Sequence, residues 1–114
     1  MREPRLAASV LASALLRRAE GEGGFGVVLA RGDADAGAIL VILLERGRNP
    51  RMLERVLDPA GRYSWQELRH PPEGEEREVP RLIEKRRRSD PDLWVLELDI
   101  PSAERFAAEM DALR

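Results

Sequence analysis

Leu6, Val10, Leu11, Ala14 and Leu15 recur near the start of the chain at steps of three and four residues, the spacing that lays apolar side chains on one face of an α-helix. Pro4 suits a first helical turn and Gly21 a helix end, so the pattern predicts a helix over residues 4–20. The period then changes. Residues 25–31 (FGVVLAR) are rich in β-formers, GDADAG reads as a turn, and residues 38–45 (AILVILLE) are apolar at nearly every position, as in a strand covered on both faces. The short loop between the two strands makes an antiparallel hairpin their simplest pairing. Residues 51–57 (RMLERVL) fit a strand or a helix. The turn signals GRNP and DPAG on either side favour a short third strand, which residues 62–68 (RYSWQEL) continue as a hairpin.

HPPEGEE reads as a solvated loop. Val79, Leu82 and Ile83 then mark a helix over residues 78–89, acidic at its start and basic at its end, in the order that complements the helix dipole. Residues 93–100 (LWVLELDI) give the clearest strand, with Trp94, Leu96, Leu98 and Ile100 on one face and Val95, Glu97 and Asp99 on the other. Ser102 suits the N-cap of a last helix carrying Ala103, Phe106, Met110 and Leu113 on one stripe. Together the elements predict a single α+β domain over residues 1–114: three to five strands, mostly antiparallel or mixed, with about three helices packed on them.

Composition sharpens this picture. A chain of 114 residues buries roughly two thirds of its unfolded surface and needs no covalent staples. Aromatic residues make up only 4%, so the core is expected from Leu, Val, Ile and Ala, with Phe25, Tyr63, Trp65, Trp94 and Phe106 as large anchors. The absence of cysteine excludes disulfides, thiolate metal sites and a cysteine nucleophile. Basic Met1–Arg5 followed by the apolar residues 6–16 has the outline of a secretory signal. However, RRAEGE follows at once, and the A-x-A triplet at Ala12–Ala14 lies inside the apolar run rather than after it. Eleven residues are also too few to span a bilayer. A cytoplasmic protein with no membrane partner is the expectation.

GEGGFG (residues 21–26) fits the spacing of a dinucleotide-binding turn, and with Val28 that of a kinase loop. The dinucleotide motif works only in the order strand, turn, helix, which aims a helix N-terminus at phosphate; here the order is helix, turn, strand. The kinase motif needs a lysine two strands on and an H-R-D loop, and neither is present. The glycines are better suited to ending a helix and reversing the chain. Asp33 and Asp35 open like a calcium loop, but Ala38 and Leu44 stand where that loop needs Gly and Glu. Asp92, Glu97 and Asp99 partly match the carboxylates of metal-dependent nucleases, without the lysine; an exposed sheet edge or salt bridges account for Glu97 and Asp99 more simply. His70 is the only histidine and has no evident catalytic partner.

The formal net charge is -2, yet eighteen of the nineteen basic residues are arginine, Lys85 being the exception. They cluster as Arg17 and Arg18, as Arg46, Arg48, Arg51 and Arg55, and as Arg86, Arg87 and Arg88, each cluster with acidic neighbours. A nucleic-acid surface requires such residues on one face.

In order and character, LRRAEGEGGFGVVLARGDADAGAILV and RRRSDPDLWVLELD resemble a family of short bacterial proteins known as domain of unknown function 1491. The resemblance covers most of the chain and is weakest over residues 51–78 and beyond Ile100. It implies one compact domain that includes the first helix, with no established activity and no assigned catalytic residues. Because no constellation of nucleophile, base and orienting group survives inspection, the reading is of a non-enzymatic protein without a cofactor, acting through a protein-binding or self-association surface. Arg17, Arg18, Arg86, Arg87, Arg88, Asp92 and Trp94 are the candidate surface residues. The alternatives are a nucleic-acid-binding module using the arginines, and a small metal-dependent enzyme using Asp33, Asp35, Asp92, Glu97 or Asp99.

Overall fold

The strand with the cleanest alternation lies in the middle of the sheet. In the computed structural model, which describes residues 6–68 and 78–113, the chain runs α1 (Ala8–Gly21), β1 (Phe25–Ala30), β2 (Ile39–Glu45), β3 (Arg48–Leu57), β4 (Tyr63–Glu67), α2 (Glu78–Ser89), β5 (Trp94–Asp99) and α3 (Ala103–Met110). The five strands form one mixed sheet in the order β1-β5-β2-β3-β4. β5 runs antiparallel to β1 and parallel to β2, and the other neighbours are antiparallel.

Side-chain alternation divides the sheet into two cores. Ile39, Val41, Leu43, Leu53, Trp94, Leu96 and Leu98 meet Leu11 and Leu15 of α1 and Phe106 and Met110 of α3 on one face. Leu40, Ile42, Met52 and Val95 meet Val79, Leu82 and Ile83 of α2 on the other. This is why β2 is apolar from Ile39 to Leu44: each of its faces serves a different helix layer.

Two expectations are corrected. β1 and β2 do not pair, because β5 inserts between them. A strand buried on both faces gains most in the sheet centre, and Trp94 to Leu96 and Leu98 are all buried. The β1–β2 loop therefore crosses over β5, and it does so in contact: Asp33 N donates to Asp92 O at 3.1 Å, and a Cβ on Gly32 would lie 2.0 Å from that oxygen. For the same reason Glu97 and Asp99 do not lie on a sheet edge. Asp99 Oδ1 instead accepts a bond from Arg46 N at 2.8 Å.

Helix boundaries follow from backbone partners. α1 begins at Ala8, after a non-helical Leu6 and Ala7, Pro4 lying outside the described residues; it has no side-chain cap, and Ala8 N and Ser9 N donate to Asp35 O and Ala34 O of the β1–β2 loop. Its C-terminus closes with bonds from Glu22, Gly23 and Gly24 N back to helix carbonyls, and Gly23 takes φ +87. α2 has the expected bounds. Ser102 caps α3 as expected, accepting from Arg105 N at 3.2 Å, while Glu45 accepts from Ala103 N at 2.8 Å. β3 starts earlier than its sequence suggests, at Arg48. The hairpin turn is only Arg46-Gly47, with φ 51 and 75, the positive pair that matches strand twist in a two-residue loop.

Candidate functional site

The glycine turn cannot cradle phosphate. Its N–H groups at Glu22, Gly23 and Gly24 are bonded to the C-terminal carbonyls of α1, an end that carries partial negative charge.

The arginine clusters are distributed over both helix layers. Arg17 and Arg18 belong to α1 on one face of the sheet, whereas Arg86, Arg87 and Arg88 belong to α2 on the other. Several are engaged: Arg18 Nη2 lies 3.0 Å from Glu109, Arg88 Nη2 2.8 Å from Glu84, and Arg86 pairs with Glu54 of β3. Arg17 and Arg87 are exposed. Arg55 is buried in the β3–β4 region, where it donates to Leu6 O at 3.1 Å and its guanidinium stands 4.6 Å from the Tyr63 ring centroid.

Trp94, expected on a binding surface, is turned into the core. It is 4% exposed, its indole N–H donates to Asp33 O at 2.7 Å, and Arg31 covers its ring at 5.6 Å. Asp92 is exposed beside it and engaged through its backbone. The carboxylates considered for metal binding divide between the two ends of β5. Asp33 and Asp92 meet before its first residue and Asp99 is its last, about 20 Å away at strand rise. Asp33 Oδ2 is occupied by the N–H groups of Asp35 and Ala36. Among the described residues no three His, Asp or Glu side chains are placed to hold a metal ion. His70 lies outside the described residues.

One charged cluster joins two helices. Glu109 of α3 accepts from Arg18 of α1 at 3.0 Å and from Arg105 at 3.3 Å, and Glu22, just after α1, faces it. Partial burial and the adjacent Glu109 carboxylate push Glu22 above the usual carboxylate range, against the pull of Arg105 and Arg18. The Arg18 guanidinium, followed by the contact with Glu22, holds Glu109 below it.

The surface feature missed from sequence is β1. Among the described residues it pairs on one side only, with β5, and it exposes Phe25 (60%), Val27 (45%) and Leu29 (43%). Phe25 and Val27 lie opposite Asp99 and Glu97, on the face that α2 covers farther along the sheet. The opposite edge strand, β4, ends instead in exposed Gln66 and Glu67. The β-forming composition of β1 was visible in the sequence, but its place at the edge follows from the insertion of β5.

The fold and surface define a small α+β domain with helices on both faces of a mixed sheet and one apolar sheet edge. The chain belongs to the family described as protein of unknown function (DUF1491), whose sequence profile matches residues 6–108. It is similar to the crystal structure of a DUF1491 family protein from Caulobacter crescentus, with 31% identity, a TM-score of 0.77, and coverage of 89% of this chain and 94% of that one. The NMR structure of a DUF1491 family protein from the same organism matches with the same identity and TM-score, over 91% of this chain and 94% of that one. A solution structure of a protein from A. tumefaciens matches at 29% identity and a TM-score of 0.74, over 90% and 92% of the two chains. No curated protein matches the chain. Among the described residues no helix is long and apolar enough to cross a membrane.

Proposed function

We propose that this protein is a non-enzymatic bacterial cytoplasmic module that acts by self-association through β1. The observation that carries the reading is the contrast between the two sheet edges. β4 ends in polar and charged side chains that discourage strand addition, whereas β1 offers a backbone edge unpaired among the described residues, beside Phe25, Val27 and Leu29. A second copy supplies the matching edge: two β1 strands related by a two-fold axis normal to the sheet run antiparallel and extend it across the interface. Centred on Val27, that register sets the Phe25 side of one strand against the Leu29 side of the other. The bulge between Val28 and Ala30 limits the pairing to a short stretch and suits a reversible contact.

Size-exclusion chromatography with light scattering tests this. The wild-type chain is expected to show a concentration-dependent shift toward dimer mass, and Val27→Lys is expected to run as a monomer with an unchanged circular dichroism spectrum. A wild type that stays monomeric at the highest soluble concentration would overturn the reading.

A further inference from the structure

The parallel strands β2 and β5 end side by side, with Leu44 opposite Asp99. A cleft of about 390 Å³ opens there, between the Gly23–Phe25 turn, Arg46 and the Asp99–Pro101 segment. The volume falls at the small end of the range for small-molecule sites.

Its lining is built with backbone freedom held in reserve. Gly24 has no room for a side chain, since a Cβ would meet Asp99 O at 2.0 Å, and Gly23 is left-handed. Arg46 is left-handed too, in a turn position that favours Gly, Asn or Asp. Its amide is fixed by Asp99 Oδ1, yet its guanidinium makes no ion pair among the described residues, not even with the Asp99 carboxylate on the same rim. Packing does not require this arginine, which is exposed. The hairpin turn accounts for its backbone, and its guanidinium is left available to a ligand.

The rim thus presents one guanidinium, one carboxylate with Oδ2 unengaged, and the apolar surfaces of Phe25 and Pro101. We propose that this cleft binds a free α-amino acid with an apolar side chain. The ligand carboxylate pairs with Arg46, its ammonium with Asp99, and its side chain lies against Phe25 and Pro101. A zwitterion answers both unpaired charges at once, and an anion alone meets repulsion from Asp99. The cleft is lined by one chain, and of its lining residues only Phe25 belongs to β1.

The test is titration of the ¹⁵N-labelled protein with L-phenylalanine and L-leucine, followed by NMR. Saturable shifts of the Gly23, Gly24, Arg46 and Ile100 amides are expected, with a Kd on the order of 1 mM or tighter. N-acetylation or amidation of the ligand should weaken binding at least about tenfold, since each removes one charge. Arg46→Gly should abolish binding while melting no lower than wild type, because glycine relieves the left-handed backbone. The absence of saturable shifts, equal binding of the blocked ligands, or retained binding in Arg46→Gly would each overturn the proposal.

Discussion

At Gly32 a methyl group has nowhere to go. Its Cβ would stand 2.0 Å from Asp92 O and 2.7 Å from Trp94 Cδ1, both part of the clasp that carries the β1–β2 loop over β5. Gly32→Ala must displace backbone rather than a flexible side-chain end, and it is expected to cost about 2–3 kcal/mol in chemical denaturation. Gly21, with nothing within 4 Å of its Cβ position at the end of α1, provides the contrast: alanine there is expected to be neutral or stabilising by up to about 1 kcal/mol. Equal effects at the two positions would show that close approach is not what Gly32 provides. The letters GDADAG were legible as a turn. What the sequence could not convey is that this turn touches the segment just before β5, because the contact lies between residues about sixty apart and depends on a single missing Cβ.

Among the elements, those with strict alternation or a complete cap were the most legible. β5 and α3 took the expected faces, and Ser102 caps α3 through its side chain. Boundaries failed where the stabilising group comes from elsewhere: α1 begins where loop carbonyls accept its N–H groups, not where Pro4 suggests. The β1–β2 hairpin failed because loop length limits only the distance to be spanned, and burial decides which strand takes the central place. The cluster joining α1 to α3 has a pH signature of its own. Glu22 is held above its ordinary range in the folded state, so its favourable contribution is present below the unfolded value and lost as pH rises through the folded one. Glu109 has the opposite sense: its contribution is present above the unfolded value and lost as pH falls through the folded one. Glu22→Gln, which removes the like charge facing Glu109, should therefore raise stability at pH 7, by about 0.5 kcal/mol after solvent screening. The gain should vanish near pH 3, where the wild-type carboxyl is protonated. Urea titrations at the two pH values read this directly, and a variant no more stable at pH 7 than wild type contradicts it.

For the molecule as a whole, the two cores are unequal. The α1 and α3 side contains Leu11, Leu15, Phe106 and Met110, all fully buried, and Trp65 Nε1 ties β4 to Leu113 O at 2.7 Å. α2 buries no residue completely and is held by Val79, Leu82, Ile83 and the pairing of Arg86 with Glu54. Local opening free energies track such differences, since a helix with half-buried contacts can detach without exposing the rest of the core. Native-state hydrogen exchange should therefore find β5 and β2, each paired on both sides, exchanging only through global unfolding. The amides of α2 should exchange through a cheaper opening that leaves the sheet intact. Gly32→Ala gives the decisive comparison, because its strain is borne by the clasp at the start of β5, away from α2. It should lower protection in β5 by its full unfolding penalty and leave α2 unchanged as long as α2's own opening remains the easier route. Equal protection of α2 and β5 in the wild type, or a matching loss in both for the variant, would mean that the two layers open together.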